Sequence, residues 1–292
     1  MLYNSSDLTF VVQGPFQYFD GISTLQVLES IRLNYPKSKI IFSISGELPS
    51  TVNVDRLVDS IIYVEDVGPT TCGYIGGKKI YENVNRQVNG VFEGIKYVTT
   101  AYSVKTRTDF LFVNRSLLDI IGLQLKANNF KNKISIIDVF SRRFYYRNFR
   151  LFTVDYHFSD FIQVGRTEDL KKFWSLGGFP DDNNDYQSVD DYPTVEQRIY
   201  RRFYYKYNKK IDLLSPRNVS NRKSRNSIEI VLKDFFVYNS DQLGIILPRR
   251  FRFSWLNNAC FVGSDSKIIQ YLLVKPILSV LNRLKIIDVN LS

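Results

Sequence analysis

The run Leu8-Thr-Phe-Val-Val-Gln13, cut off at once by Gly14-Pro15, decides the fold. It is short, apolar and β-rich, the signature of a strand covered on both faces. Strands of that kind pair in parallel through helical crossovers. Outward from it the same alternation recurs. Leu25, Leu28, Ile31 and Leu33 fall in a helical pattern over residues 20–35, which Pro36 ends. Lys39-Ile-Ile-Phe-Ser-Ile44 reads as a second buried strand, stopped by Ser45-Gly46. Ser60-Ile-Ile-Tyr-Val64 is a third, ending at Glu65-Asp66 before Gly68-Pro69. Val84, Val88, Val91, Phe92, Ile95 and Val98 then repeat at helical spacing. The order predicts an α/β protein with a mostly parallel sheet and helices on both faces. Ligands in such sheets bind at the carboxyl ends of the strands. Gln13-Gly14, Ser45-Gly46, Glu65-Asp66 and Asp109 occupy such ends.

Beyond residue 110 the pattern loosens. A helix is expected over Leu117–Leu125, a strand over Ile134–Val139 and a basic-aromatic segment over Arg142–Arg150. A helix should run through Leu170–Trp174, and the acidic, Asn-rich Asp181–Asp191 reads as a loop. Thr194–Tyr205 reads as a helix, Ile228–Tyr238 as a strand. The expected division is a first region over 1–205 and a C-terminal extension over 206–292 that completes the domain.

A length of 292 residues with 44% hydrophobic side chains supports a sizeable core, much of it ring-packed by 22 Phe and 19 Tyr. Cys72 and Cys260 match no metal or redox spacing and fit a reducing cytoplasm. His157 is the one histidine, which argues against His/Cys zinc sites and His-dependent triads. It reads as a structural or surface residue. The net charge of +10 favours anionic partners. The amino terminus lacks the pattern of a signal peptide, and no apolar stretch would span a bilayer. The basic-aromatic stretches Arg142–Arg150 and Arg198–Lys210 contain no nucleic-acid recognition motif. A glycolipid diphosphate or an anionic membrane surface is the better partner. The apolar, basic tail Ile268–Ile287 suits a peripheral membrane helix or packing on the catalytic domain.

The charged residues of interest lie in Tyr102-Ser-Val-Lys-Thr-Arg-Thr-Asp-Phe110. Side chains alternate faces along a strand, so Ser103, Lys105, Arg107 and Asp109 share one side. That row needs partners. Either water and cross-strand ion pairs satisfy it, or a charged ligand such as a phosphate does, with a divalent metal at the carboxylate. Upstream, Asn85 and Arg86 fall near the start of a helix, where free N–H groups favour phosphate; an ordinary polar helix start is the alternative. An Asn-Arg helix start, about a dozen residues, then a strand closing on an acid resembles the donor site of the glycosyltransferase A-type fold.

Taken in order, Phe10-Val-Val-Gln-Gly-Pro15, Ser30-Ile-Arg32, Ile40-Ile-Phe-Ser43, Glu65-Asp66 with Gly68, Asn83–Gln87, Lys105-Thr-Arg-Thr-Asp109, Ser159-Asp160 and Glu196-Gln197 resemble the WavE-type lipopolysaccharide synthesis proteins. The resemblance spans roughly residues 7–205. It implies a bacterial sugar transferase with a glycosyltransferase A-type, Rossmann-like sheet. The partners it implies are a nucleotide-sugar donor and a glycan or lipid-linked acceptor in lipopolysaccharide or capsule assembly. Gln13, Gly14, Asp66, Asn85, Arg86, Lys105, Arg107 and Asp109 would surround the donor. Asp109 would hold Mg or Mn, although Arg107 stands where such folds often place a second acid, and Lys105 and Arg107 could act as fixed cations instead. Inverting transfer needs a general base; Glu196, Asp160 and Asp155 are candidates, with Glu196 ahead of Asp160. A first-turn glutamate complementing a helix dipole is the alternative for Glu196, and a helix cap for Asp160. Two rival functions are a sugar-phosphate or nucleotidyl transferase using the same phosphate-binding face and a non-catalytic scaffold of polysaccharide assembly. The expected location is cytoplasmic, peripheral on the inner face of the membrane.

Overall fold

A computed structural model of the chain describes residues 3–252, apart from 124, 143, 148–149, 189–190 and 215. The tail Ile268–Ile287, expected to form a peripheral membrane helix or to pack on the catalytic domain, lies outside the described residues. Seven strands form the central sheet: β1 Leu8–Gly14, β2 Lys39–Ser45, β3 Ser60–Val64, β4 Tyr102–Arg107, β5 Ile134–Ile137, β6 Gln163–Arg166 and β7 Phe235–Tyr238. Their order is β7-β5-β6-β4-β1-β2-β3. β1, β2, β3 and β4 run parallel, as do β5 and β7, while β6 is antiparallel to both β4 and β5. The mostly parallel α/β sheet expected from the alternation is present.

Six helices cover it: α1 Thr24–Asn34, α2 Val84–Lys96, α3 Ser116–Gly122, α4 Thr167–Trp174, α5 Val195–Tyr205 and α6 Asn221–Leu232. The strand pleat sorts the core into two layers. Phe10, Val12, Ile40, Phe42 and Val104 pack with α1 and α3 on one face. Val11, Ile41 and Ile134 pack with α2, α4 and α5 on the other. Consecutive residues of β1 thus enter opposite layers, as a doubly covered strand requires. α2 lies unusually near the sheet. A Cβ on Gly94 would meet Val11 Cγ1 at 2.7 Å and Ser43 Cβ at 3.0 Å, and a Cβ on Gly90 would meet Gln13 Cγ at 3.0 Å.

Three expectations need correction. Asp182–Tyr186 is a strand, not a loop, running parallel to Thr70–Ile75 in a three-stranded sheet completed by Lys78–Glu82. Ile228–Leu232 belongs to α6, and only Phe235–Tyr238 is strand. The charged strand stops at Arg107, so Asp109 lies past its end rather than in its row. The basic-aromatic run pairs Phe144–Arg147 with Arg150–Thr153 as a hairpin.

Candidate functional site

The carboxyl ends of β1, β2 and β4 and the start of α2 enclose a cavity of about 410 Å³. Gln13, Gly14, Asp66, Arg86 and Arg107 all line it, joined by Ser45, Gln87 and Thr108. Gly14 has φ +139°, where a Cβ would press on Thr108 Oγ1 at 3.0 Å. The chain therefore leaves β1 in a conformation that favours glycine and keeps that wall open. Arg86, in the first turn of α2, makes a two-pronged ion pair with Asp66 (Nε–Oδ1 2.5 Å, Nη2–Oδ2 2.6 Å). That guanidinium holds the Asp66 carboxyl below its ordinary range, with the Gly68 N–H assisting. The Arg86 cation, paired with Asp66, and the positive end of the α2 dipole meet at this corner of the cavity.

Three donor candidates lie elsewhere. Asn85 faces away from the cavity: its amide donates to the Phe179 carbonyl at 2.8 Å and accepts the Phe179 N–H at 2.7 Å. Lys105 is fully buried beneath α4 and α5. Its ammonium donates to the Asp160 carbonyl, lies 3.6 Å from Asp160 Oδ2 and sits 5.2 Å from the Trp174 ring centroid. Burial pushes its pKa down to about 8, against the pull of Asp160. Neither the solvated row nor a ligand-lined face describes Lys105; an internal ion pair does. Asp109 is also fully buried. Its Oδ1 accepts from Arg107 Nε at 3.1 Å, and its Oδ2 accepts from Arg107 Nη2 at 2.9 Å and from Arg250 Nη2. Two guanidiniums thus occupy the carboxylate expected to ligate Mg or Mn. Among the described residues no group of three or more His, Cys, Asp or Glu could hold a metal. This donor set does not fit a carboxylate-held divalent ion.

The base candidates gather behind Arg107. Burial raises the Asp160 pKa, Lys105 opposes that rise and the nearby Glu196 carboxylate adds to it. Asp160 Oδ2 has no hydrogen-bond partner. Glu196 opens α5, whose Thr194 cap accepts the Gln197 N–H at 3.3 Å. His157 Nδ1 sits 2.7 Å from the Phe140 carbonyl, which makes Nδ1 the donor and leaves the Nε2 lone pair facing Glu196 Oε2 at 4.0 Å. Burial first, then Arg142, drives the His157 pKa well below its ordinary value, so the ring is neutral. Asp155 is excluded as a base: Arg201 Nε donates to it at 3.1 Å and Gln197 Nε2 at 3.2 Å, beneath α5.

Two features escaped the sequence reading. Glu82, at the end of the hairpin leading into α2, pairs with Arg198 of α5, and burial raises its pKa to about 7. The hairpin had a signal, Gly76-Gly77, with φ of 55° and 76° as a primed two-residue turn demands. Arg250 had none; nothing local ties it to a carboxylate 141 residues earlier.

The fold and the cavity define a doubly covered α/β protein with an arginine-lined pocket at the carboxyl edge of its sheet, where such sheets bind ligands. The chain belongs to the WavE lipopolysaccharide synthesis family, whose model matches residues 8–262. None of the curated proteins matches it. Solved structures similar to it include a cytidylyltransferase from Leptospira borgpetersenii serovar Hardjo-bovis, 11% identical with a TM-score of 0.39 over 93% of this chain and 96% of that one. Another is the 2-C-methyl-D-erythritol 4-phosphate cytidylyltransferase of Francisella tularensis (9%, TM-score 0.36, 80% and 89%). A third is the inositol-1-phosphate CTP transferase of T. maritima (15%, TM-score 0.33, 61% and 77%). The fold assignment rests on the strand order itself.

Proposed function

We propose that the protein is a glycosyltransferase of lipopolysaccharide synthesis. It would move a sugar from a nucleotide-sugar donor to a glycan or lipid-linked acceptor, with inversion. The observation carrying this reading is the cavity where Arg86 and Arg107 meet the Gly14 bend and the start of α2, with the buried Asp160 close enough to feel both Arg107 and Glu196. The diphosphate would lie against the arginines and the helix start. Glu196 is the base: it takes the acceptor hydroxyl proton as the acceptor oxygen bonds to the anomeric carbon. The bond from that carbon to the diphosphate breaks, and its electron pair leaves with the nucleoside diphosphate. Work at the inner face of the cytoplasmic membrane fits the +10 charge; no helix among the described residues is long and apolar enough to cross a membrane. The same phosphate cavity would also serve nucleotidyl transfer, and the product separates the two reactions.

The test is a panel of nucleotide sugars incubated with the protein and a lipopolysaccharide-precursor extract. Free nucleoside diphosphate is the expected product. Glu196→Gln should lower turnover by about 10²–10⁴-fold with folding intact. Pyrophosphate as product, or a near-normal rate in that variant, would overturn the reading.

A further inference from the structure

A second cavity, of about 390 Å³, is walled by α5 and the loop after it and shares no lining residue with the first. Its apolar walls are Pro180, Tyr205, Ile211, Leu213 and Leu214, with the buried Phe179. Hydrogen bonds fix these walls. Asn85 holds both backbone groups of Phe179, and Arg198 Nη2 donates to the Pro180 carbonyl at 3.0 Å. After α5, the Ile211 N–H donates to the Asn208 carbonyl at 3.2 Å and the Leu214 N–H to Asp212 Oδ1 at 3.0 Å. The cavity is therefore largely formed before anything binds, and its size is that of a small-molecule site. Four charged side chains also line it: Arg198, Arg202, Asp181 and Asp212. Glu82 pairs with Arg198. The other three stay apart. Arg202 packs on Phe179, its Cζ 5.9 Å from the ring centroid, and makes no ion pair among the described residues. Asp181 Oδ1 accepts the Thr71 N–H at 2.8 Å and Asp212 Oδ1 accepts that of Leu214, so each keeps a second oxygen for a ligand. An anion in the cavity would gain Arg202 but face two carboxylates. A cation would gain the carboxylates but meet Arg202, with Lys206 and Lys209 close by. A wholly apolar molecule would strip water from all three charges and replace none of their hydrogen bonds. An uncharged ring bearing hydroxyls meets every demand. Each hydroxyl donates once and accepts twice, so it serves carboxylate and guanidinium alike.

We propose that this second cavity binds an uncharged sugar ring of a glycan. Ring hydroxyls donate to Asp181 and Asp212 and accept from the Arg202 guanidinium, each a charge-assisted hydrogen bond, while the C–H face of the ring rests on Tyr205 and Leu213. Lipopolysaccharide, which the family serves, is built of such rings. Asn85, which holds Phe179, directly precedes Arg86 of the first cavity, so the start of α2 joins the two sites. The second site does not depend on the donor reading, since a glycan subsite serves sugar transfer and nucleotidyl transfer alike.

The experiment is saturation-transfer NMR on the full chain with glucose, galactose, mannose and N-acetylglucosamine, each free and as a disaccharide, at millimolar concentration. The matching sugar phosphates and amino sugars are the charged counterparts. At least one neutral sugar should receive saturation, and more strongly than its charged counterparts. Arg202→Gln and Asp212→Asn should each raise its Kd by about 10-fold, the loss of roughly one charge-assisted contact. Asparagine keeps the oxygen that takes the Leu214 N–H, and melting temperatures report that both variants fold. UDP, GDP, CDP and ADP should leave the sugar signal in place. Absence of signal from every neutral sugar overturns the second site. So does a signal that both variants retain in full, that a sugar phosphate outcompetes or that a nucleoside diphosphate displaces. Each of these results leaves the donor reading standing, because that reading is judged by the nucleoside diphosphate released.

Discussion

Lys105 shows how alternation along a strand can be read correctly and still mislead. Its side is the one expected, together with Ser103 and Arg107. Its depth is set by α4 and α5, which cover that side with Trp174 and Tyr200. Periodicity reports direction, whereas burial depends on what packs above, and nothing between residues 102 and 110 encodes that. Arg107, two positions on, clears the cover and lines the cavity. Gln13, Gly14, Asp66 and Arg86 were legible for a simpler reason: each follows or opens an element whose end the sequence marks. Arg250 was not legible, because its role arises from a long-range return of the chain. The Lys105–Asp160 pair makes a sharp prediction. A buried pair that loses one member leaves an uncompensated charge, at a cost of about 3–5 kcal/mol. Lys105→Met should therefore lower stability by about that amount at pH 7, where Lys105 is still charged, read from urea unfolding. The loss should shrink toward pH 5, because Asp160, already raised by burial, then takes up a proton. The double variant Lys105→Met, Asp160→Asn should recover most of the loss. An unchanged urea midpoint for the single variant would mean the pair is not internal.

At the scale of elements, α2 links the core to the site. Its first turn contributes Arg86 and Gln87 to the cavity, and its middle is drawn onto β1 and β2 by Gly90 and Gly94. Ser43 Oγ donates to the Gly90 carbonyl at 2.5 Å across that contact. The helix itself was readable from its apolar spacing, but its closeness to the sheet was not. Gly94→Ala would gain up to about 1 kcal/mol of helix propensity. Against that, the new methyl would stand 2.7 Å from Val11 Cγ1, a β-branched side chain with no free rotamer. Overpacking of this kind costs about 1–3 kcal/mol, so a net loss is expected, measured by thermal or urea unfolding. A shift of α2 should also weaken nucleotide binding. Gly178→Ala, where a Cβ would meet nothing within 4 Å, is the control and should be close to neutral. Elsewhere, β1 to β4 and α5 were readable because apolar runs and caps agree with the final structure. The Asp182–Tyr186 strand was not, since its Asn and Asp residues disfavour strands. It is held by tertiary contacts: Asp181 Oδ1 accepts the Thr71 N–H at 2.8 Å, and Tyr186 lies over Gly73, where a Cβ would meet its ring at 2.5 Å.

Across the whole molecule, the antiparallel β6 and the return of β7 to the sheet bring segments distant in sequence to one carboxyl edge. The cavity lining draws on residues from 13 to 108, and the interior near it holds several ionisable groups away from water. Such an interior should make stability depend on pH through particular residues. His157 is neutral in the folded state, its pKa depressed by burial, Arg142 and Arg217, while Glu196 approaches Nε2. Once unfolded, it binds a proton below about pH 6.5. The unfolded state then holds more protons, so the contribution of His157 is intact above that pH and is lost as pH falls. Glu82 acts in the opposite sense. Its folded pKa of about 7 exceeds its ordinary value, so protonation favours the fold and stability grows as pH falls through that range. The two partly cancel in the parent protein, which hides both. His157→Gln removes only the first. The stability gap between parent and variant should therefore narrow as pH falls from 7 to 5, by at most about 1.4 kcal/mol per pH unit, the limit for one proton. Urea midpoints measured at half-unit steps provide the check. Parallel curves would show that His157 is protonated equally in both states and is not the buried neutral partner of Glu196.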